Sequence, residues 1–169
     1  MNVKMRSRQR GVGMTEVLIA LLLLAIAVLG FVALQVRAST TGNEAFFRTQ
    51  AMAIAKDLGE RVRLNLGELA TYTTAANWAG AIGDIEACEV ADCIAADLAD
   101  YDIANVRNSA ATLLPNGQVA MQPCAGSLLS CIFVSWDDTN PTVGNAATDC
   151  VTAAGRYRNG ATCVMLEAY

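Results

Sequence analysis

A basic leader and a single carboxylate frame a long apolar run near the start of this 169-residue chain. Four cations and no acidic residue precede Gly11, namely Lys4, Arg6, Arg8 and Arg10. Residues 17–34 then carry no charged or strongly polar side chain. About 18 residues at about 1.5 Å each span about 27 Å as a helix, close to the thickness of the hydrocarbon core of a bilayer. The sequence therefore predicts a membrane-spanning helix with its basic flank on the cytosolic side.

Glu16 is unusual because it lies at the N-terminal end of this apolar segment. A carboxylate there costs about 2–3 kcal/mol, and charged residues in membrane segments usually mark a function or a partner. The order of basic leader, Gly11, and Glu16 as the fifth residue after the glycine resembles the type III signal of type IV prepilins. The resemblance implies that a membrane peptidase cleaves after Gly11 and methylates Val12, the new N-terminal residue. In that family the first mature residue is most often Phe, so Val12 departs from the usual pattern.

Two other classes of N-terminal segment share some of these features. A secretory signal peptide also has a basic region and an apolar core, and Ala25-Ile26-Ala27 offers the small residues of a cleavage site. That tripeptide lies inside the apolar run rather than after it, and such a core seldom begins with Glu. A plain signal anchor would explain the span and its basic flank, but neither Gly11 nor Glu16. The prepilin signal is therefore the favoured interpretation.

The composition limits what the rest of the chain can do. Removal of residues 1–11 would leave eight cations against 16 acidic residues, a side-chain charge of −8 instead of −4. An acidic domain disfavours direct binding of nucleic acid, which needs a basic surface. The chain has no histidine, and so it lacks the commonest general base and the commonest metal ligand. We therefore expect a structural protein with no enzyme activity, no cofactor and no metal site.

The helical pattern continues beyond the membrane segment to about residue 66. Apolar residues recur at spacings of three and four, the pattern of an amphipathic helix: Phe47, Ala51, Ile54, Leu58 and Val62. We expect one long helix from about residue 13, with its first half in lipid and its second half packed against a globular head.

The remaining sequence predicts one shorter helix and three or four strands. Helical spacing over 98–113 ends at the turn signal Leu114-Pro115-Asn116-Gly117. Asn159-Gly160 favours a hairpin leading into the last strand. The strand candidates are 118–122, 132–136 and 162–168. These elements predict an α+β pilin-like fold, in which the long helix packs on a small antiparallel sheet and one extra short helix is present.

Seven acidic residues and no basic one lie between Asp84 and Asp102. Their spacing matches no EF-hand loop. We therefore interpret this stretch, including the paired acids Asp100 and Asp102, as solvated surface charge rather than as a cation site.

All six cysteines follow the membrane segment, which suits an oxidising periplasm; they are Cys88, Cys93, Cys124, Cys131, Cys150 and Cys163. Six cysteines allow 15 connectivities, so the sequence alone does not define the disulfides. Sequential pairing is attractive because each pair brackets a loop. A zinc site is the rival interpretation, although the Cys-x2-Cys knuckles typical of such sites are missing from the sequence. The last pair would enclose residues 155–160 and resembles the C-terminal disulfide loop of pilins.

The part of the helix beyond the membrane resembles one group within the type IV pilin family. Residues 46–51, 55–58 and 61–65 are similar to the corresponding helix of PilV-type minor pilins, in which two aromatic residues precede Arg-Ser-Gln-Ala and Arg-x-Arg-x-Asn follows. The resemblance covers about residues 10–66 well and 97–138 loosely.

This resemblance implies a minor pilin that primes assembly of a type IV pilus and is incorporated near its tip, supporting adhesion and twitching motility. Four segments would follow: a cleaved leader (1–11), the transmembrane half of the helix (12–36), its amphipathic periplasmic half (37–66) and a disulfide-bonded head (67–169). The protein would lie in the inner membrane of a Gram-negative bacterium, with a periplasmic head, before it enters the pilus. Its partners would be prepilin peptidase, other minor pilins, the major pilin and, before assembly, membrane lipid.

Within a filament, Glu16 would pair with the charged amino group of Val12 of a neighbouring subunit. In a low dielectric this pairing would offset much of the desolvation cost of both charges and would select an axial register.

Two alternative functions remain open from the sequence. An I-type minor pseudopilin of a type II secretion system has a similar N-terminus. A periplasmic binding module on a signal anchor, with the acidic segment 84–102 as its site, is the alternative from a different class. That module would keep an uncut N-terminus and would tolerate changes at Gly11 and Glu16.

Overall fold

The computed structural model describes residues 11, 13–86, 88–90 and 92–169. It divides into two compact units, one ending at Asn43 and the other comprising Glu44–Tyr169. The second unit, here called the head, contains all the strands described below.

The long helix expected from the sequence is confirmed as α1, Met14–Leu64. Its residues 14–43 are all exposed. In the part that belongs to the head, the predicted apolar stripe is buried at Ala51, Ile54, Leu58 and Val62, and Phe47 packs against the same core. The periodicity therefore identified the face of α1 that packs within the head.

Several short helical elements follow α1. A 3-10 turn at Leu66–Glu68, helix α2 at Leu69–Thr73 and a second 3-10 turn at Ala75–Trp78 lead into an irregular segment. Helix α3, Ala95–Leu113, then confirms the predicted shorter helix.

Helix α3 ends where the turn signal predicted. The Leu114 amide donates to the Ala110 carbonyl (3.0 Å), and Asn116 adopts a left-handed conformation with φ of 51°. A Cβ atom at Gly117 would overlap the carbonyl oxygen of Ala110. The chain can therefore turn closely back on the end of α3 only with glycine at this position.

A three-stranded antiparallel sheet forms the centre of the head. It comprises β1 (Gln118–Pro123), β2 (Ser130–Ser135) and β5 (Cys163–Ala168), in the order β1-β2-β5. The register aligns Val119 with Val134, and Val134 with Val164. These three valines share the main core with the buried stripe of α1.

The second face of the sheet is also covered. Alternation within β2 places Phe133 opposite the face that carries Ile132 and Val134, and Phe133 is buried among Cys150, Val151 and other residues of a smaller cluster. The sheet is therefore packed on both faces, and β2 is buried along nearly its whole length.

Strands β3 (Asn140–Gly144) and β4 (Asp149–Thr152) form a separate parallel pair that the sequence patterns did not reveal. The short connection between them is held by Asp149. Its carboxylate accepts hydrogen bonds from Thr142 Oγ1 (2.6 Å) and the Ala146 amide (2.7 Å). One buried carboxylate thus stabilises the tight link between the two strands.

The hairpin predicted at Asn159-Gly160 is wrong. Strand β5 pairs with β2, and not with the segment that precedes Asn159. The chain reverses earlier, at Gly155, where φ is +77° and the amide donates to the Thr152 carbonyl (2.9 Å). Gly155 adopts the left-handed conformation without a steric cost, so it makes this turn while Gly160 only redirects the chain towards β2.

Candidate processing and assembly site

The start of α1 carries the residues expected to be processed. Gly11 and Gly13 are exposed, and the Gly13 carbonyl accepts the amides of Glu16 (3.0 Å) and Val17 (3.3 Å). Gly13 therefore precedes the first turn as its N-terminal cap residue. Val12, the expected methylation site, and the basic leader at 1–10 lie outside the described residues.

Glu16 lies in the first turn of α1 with its side chain exposed. Negative charge is favoured there because the helix dipole is positive at the N-terminus. Glu16 shares one side of the helix with the apolar residues Val17, Ala20, Leu21 and Leu24, all of which are exposed. A carboxylate at the end of an apolar helical surface can pair with a positive charge supplied by another molecule.

The helix beyond Glu16 is long and apolar enough to cross a membrane by length and composition. Its most apolar 18-residue window has a mean hydropathy of 3.2, and none of that window is buried within the structure. Each Å² of apolar surface left in water costs about 25 cal/mol. Lipid or other helices must therefore cover this surface.

Asp102, expected on the surface from the sequence, instead lies in a buried charge cluster in the head. Asp102 is only 4% exposed. Its Oδ1 accepts a hydrogen bond from Arg61 Nη1 (2.8 Å), and its Oδ2 accepts one from the Tyr72 hydroxyl (2.7 Å). Arg61 also donates through Nε to Asp57 (2.9 Å). Because both oxygens of Asp102 have partners, the carboxylate can be buried where α1, α2 and α3 meet.

The other six acidic residues of the segment are exposed, as the sequence indicated; they are Asp84, Glu86, Glu89, Asp92, Asp97 and Asp100. A signal for the exception was present in the sequence. Asp102 lies three residues after Ala99 and four before Val106, both buried on α3. An acidic residue on the apolar face of an amphipathic helix indicates a buried partner.

Burial and charge act together on the ionisable groups of this cluster. Burial raises the pKa of Tyr72, and the hydrogen bond to Asp102 and its negative charge raise it further. Burial alone would lower the pKa of Arg61, but its hydrogen bonds to Asp102 and Asp57 outweigh that effect and the pKa is raised. The fold therefore favours a protonated Tyr72 beside a charged Arg61.

The Arg-x-Arg-x-Asn segment at the end of α1 has a structural role within the head. Arg61 binds Asp102, and Asn65 Nδ2 donates to the Ala95 carbonyl (2.7 Å) at the start of α3. Val62 between them is fully buried. This segment therefore ties the end of α1 to α3.

The cysteines form three disulfides in the structure: Cys88–Cys93, Cys124–Cys131 and Cys150–Cys163. The last two are buried on the second face of the sheet, beside Phe133 and Val151. The first lies in the exposed acidic segment. No cluster of metal-ligating side chains occurs in the part of the chain that the structure describes.

Comparison with known families matches two consecutive parts of the chain. A model of the prokaryotic N-terminal methylation motif matches residues 6–32, the region of Gly11 and Glu16. A model described as Tt1218-like, type IV pilin Tt1218, matches residues 33–104, which include the extramembrane part of α1. Comparison with curated proteins and with solved structures gives no significant match. The methylation motif, the long apolar helix and the α+β head agree with these family matches, and the chain is a type IV pilin-like protein.

Proposed function

We propose that the protein is a minor pilin of the PilV type, which helps to prime a type IV pilus and is incorporated near its tip. Prepilin peptidase cleaves after Gly11 and methylates Val12, and the retained helix then packs against other minor pilins and the major pilin. Adhesion and twitching motility follow from the assembled pilus rather than from chemistry in this chain.

The observation that carries the proposal is the position of Glu16. It lies in the first turn of an exposed apolar helix, five residues after Gly11, within the region that matches the methylation motif. Cleavage after Gly11 would create a charged amino group at Val12. In a low-dielectric bundle, that group on one subunit and Glu16 on its neighbour would each offset the desolvation of the other, so subunits would align in one axial register.

The choice of a PilV-type minor pilin rests on the sequence likeness of residues 46–65. In that segment Arg61 and Asn65 hold α3 in the head, so the residues that carry the likeness support a particular head architecture. The matched type IV pilin model covers the same region.

The proposal gives each segment a location. The leader at 1–11 remains cytosolic and is removed, residues 12–36 span the inner membrane, and residues 37–66 continue as the periplasmic half of the helix. Residues 67–169, which form the rest of the head, lie in the periplasm of a Gram-negative bacterium until the protein joins the pilus. The exposed apolar surface of α1 then passes from lipid to the helices of neighbouring subunits.

Mass spectrometry of the N-terminal peptide in two fractions tests the proposal. Membranes and surface filaments sheared from the cells are analysed separately, with the major pilin as the internal reference for filament recovery. N-methylated Val12 in the sheared fraction supports a pilus subunit. Processed protein in membranes alone favours a pilin that only primes assembly or a pseudopilin of a type II secretion system. An uncut terminus overturns the proposal in favour of an anchored periplasmic module.

A further inference from the structure

The three disulfides of the head differ in how well a reagent can reach their sulfur atoms. Cys88 and Cys93 are both partly exposed. The four cysteines of the other two bonds are buried, and the most exposed of them is only 6% exposed. A thiolate opens a disulfide by attacking one of its sulfur atoms, so access to that atom limits the rate. Of the three bonds, Cys88–Cys93 is therefore the one that a reagent can reach in the folded head.

Exchange at the other two disulfides requires the sheet to open. Cys131 belongs to β2, the central strand, and Cys163 belongs to β5 beside it. Cys150 lies in β4, within the buried cluster around Phe133. Opening of core strands costs up to the full free energy of global unfolding, so it is rare. These two bonds are therefore protected for as long as the head is folded.

The Cys88–Cys93 bond lies outside the core of the head. Of the residues that the structure describes between 79 and 98, none belongs to either buried cluster. Hydrogen bonds hold this segment on α3, where Asn105 Nδ2 donates to the Ile85 carbonyl (3.1 Å). Opening the bond would release a constraint on residues 88–93 and would remove no apolar contact from the core. The head should therefore stay folded when this bond is opened.

Negative charge surrounds the Cys88–Cys93 bond. Six exposed acidic residues lie between 84 and 100, and the sequence has no cation from 84 to 102. Glu89 follows Cys88 directly, and its carboxylate is held in place by the Tyr101 hydroxyl, which donates to it (3.1 Å). Charges of one sign that cluster on a surface attract reagents of the opposite sign and repel reagents of the same sign. A thiol that carries a positive group should therefore reach the bond faster than one that carries a negative group.

We propose that the Cys88–Cys93 disulfide is a site of thiol–disulfide exchange in the folded head, and that its acidic surroundings select a dithiol carried on a positively charged surface. One thiolate of the dithiol attacks a sulfur atom of the bond, which breaks as a mixed disulfide forms. The second thiolate attacks the mixed disulfide and releases Cys88 and Cys93 as thiols. Two electrons and two protons pass to the protein, and the dithiol ends as a disulfide. The exchange is independent of cleavage at Gly11 and of Glu16.

The test compares three small thiols on the full chain in nanodiscs of uncharged lipid. They are cysteamine, 2-mercaptoethanol and 2-mercaptoethanesulfonate, which carry a positive, a neutral and a negative group beside the thiol. The reaction is stopped with acid, free thiols are alkylated, and each disulfide is followed by mass spectrometry. Rates per thiolate are divided by those for 2-hydroxyethyl disulfide, a neutral compound, which removes differences in intrinsic reactivity.

Two double variants separate the local charge from the charge of the whole head. Glu89→Gln with Asp92→Asn removes the two carboxylates that lie between Cys88 and Cys93 in the sequence. Asp137→Asn with Asp138→Asn removes two exposed acidic residues outside this segment and is the matched control.

We expect Cys88–Cys93 to open at least about 100-fold faster than either other disulfide. At low ionic strength cysteamine should react about fivefold or more faster than 2-mercaptoethanesulfonate, and salt should reduce this difference by screening the charges. The difference should fall for Glu89→Gln with Asp92→Asn and persist in the control. Near-UV circular dichroism should show a folded head after the bond has opened.

The proposal is overturned if another disulfide opens first or equally fast, or if the head unfolds as Cys88–Cys93 opens. It is also overturned if the three thiols react at equal corrected rates, or if Glu89→Gln with Asp92→Asn retains the full difference between them.

Discussion

The two parts of α1 find cover for their apolar side chains in different places. Between residues 14 and 43 every side chain is exposed, whereas in Glu44–Leu64 the apolar stripe is buried in the head, with Leu58 and Val62 fully enclosed. The apolar stripe of the second part is covered by other residues of the same chain. The first part requires lipid or another subunit, because its apolar surface is too continuous to remain in water.

The same contrast holds for one carboxylate in each unit. Asp102 has partners for both oxygens within the head, supplied by Arg61 and Tyr72. Glu16 is exposed at the end of an apolar surface in the first turn of α1. The head therefore satisfies its buried charge internally, whereas the proposed partner of Glu16 belongs to another subunit.

Cleavage should depend on the residues just before α1 and not on the head. Gly11→Asp should abolish cleavage, because the prepilin signal requires a small residue at the cut, while the head should fold as before. Intact-mass measurement of the membrane-bound protein checks this. Gly13→Ala is the matched control and should be cleaved, since a Cβ there meets only Thr15 Oγ1 at an ordinary 3.7 Å. Cleavage of the Gly11→Asp chain at the original site would contradict the assignment.

Removal of the Asp102 carboxylate should lower the stability of the head strongly. Asp102→Ala would leave Tyr72 without its acceptor and Arg61 with Asp57 as its remaining acidic partner, and each lost hydrogen bond to the charged carboxylate costs about 1.5–3 kcal/mol. The head of the full chain in nanodiscs should therefore melt at a clearly lower temperature, as measured by near-UV circular dichroism. Asp100→Ala, an exposed neighbour on α3, should melt like the original chain. Equal melting temperatures for the two variants would show that the cluster contributes little.

Truncation of one leucine in each part of α1 shows whether only the second part contributes to the stability of the head. Leu58→Ala would leave a cavity in the core and should cost about 2–5 kcal/mol of head stability. Leu23→Ala, at a residue 60% exposed within the structure, should leave head stability unchanged. Chemical unfolding followed by the same signal measures both. A large loss of head stability for Leu23→Ala would mean that the first part of α1 is not independent of the head.

The stability of the head at alkaline pH should depend weakly on Tyr72. Because the pKa of Tyr72 is raised above its usual value of 10.0, its contribution to stability is complete below about pH 10 and is lost as the pH rises further. Tyr72→Phe should cost about 1–3 kcal/mol at neutral pH through the lost hydrogen bond to a charged acceptor. Unfolding free energies at pH 8 to 11 should then fall less steeply for Tyr72→Phe than for Tyr157→Phe, which changes a half-exposed tyrosine. If the unfolding free energies of the two variants fall equally steeply with pH, Tyr72 does not cause the loss of stability at alkaline pH.

The N-terminal signal and helix α1 could be predicted because their sequence patterns are local. Gly11, Glu16 and the apolar run form a linear signal, and the stripe of Ala51, Leu58 and Val62 follows the period of one helix, so each could be recognised without knowledge of distant contacts.

The features that sequence did not reveal depend on distant partners. Arg61 and Tyr72 reach Asp102 across 41 and 30 residues, and nothing local to Asp102 names them. Strands β3 and β4 are four or five residues long and lack clear alternation. The predicted hairpin failed because Gly155 and Gly160 both permit a left-handed turn, and only the pairing of β5 with β2 decides between them.

We propose that Glu16 pairs with a charge on a neighbouring subunit, and the incorporation of Glu16→Ala into pili is the sharpest test of that pairing. The ratio of the protein in sheared filaments to that in membranes is measured by quantitative mass spectrometry. Glu44→Ala, at a half-buried acidic residue of the head, is the control. We expect normal cleavage after Gly11 and a drop of about tenfold or more in that ratio for Glu16→Ala alone, which corresponds to at least about 1.4 kcal/mol. Normal incorporation of cleaved Glu16→Ala would contradict the pairing.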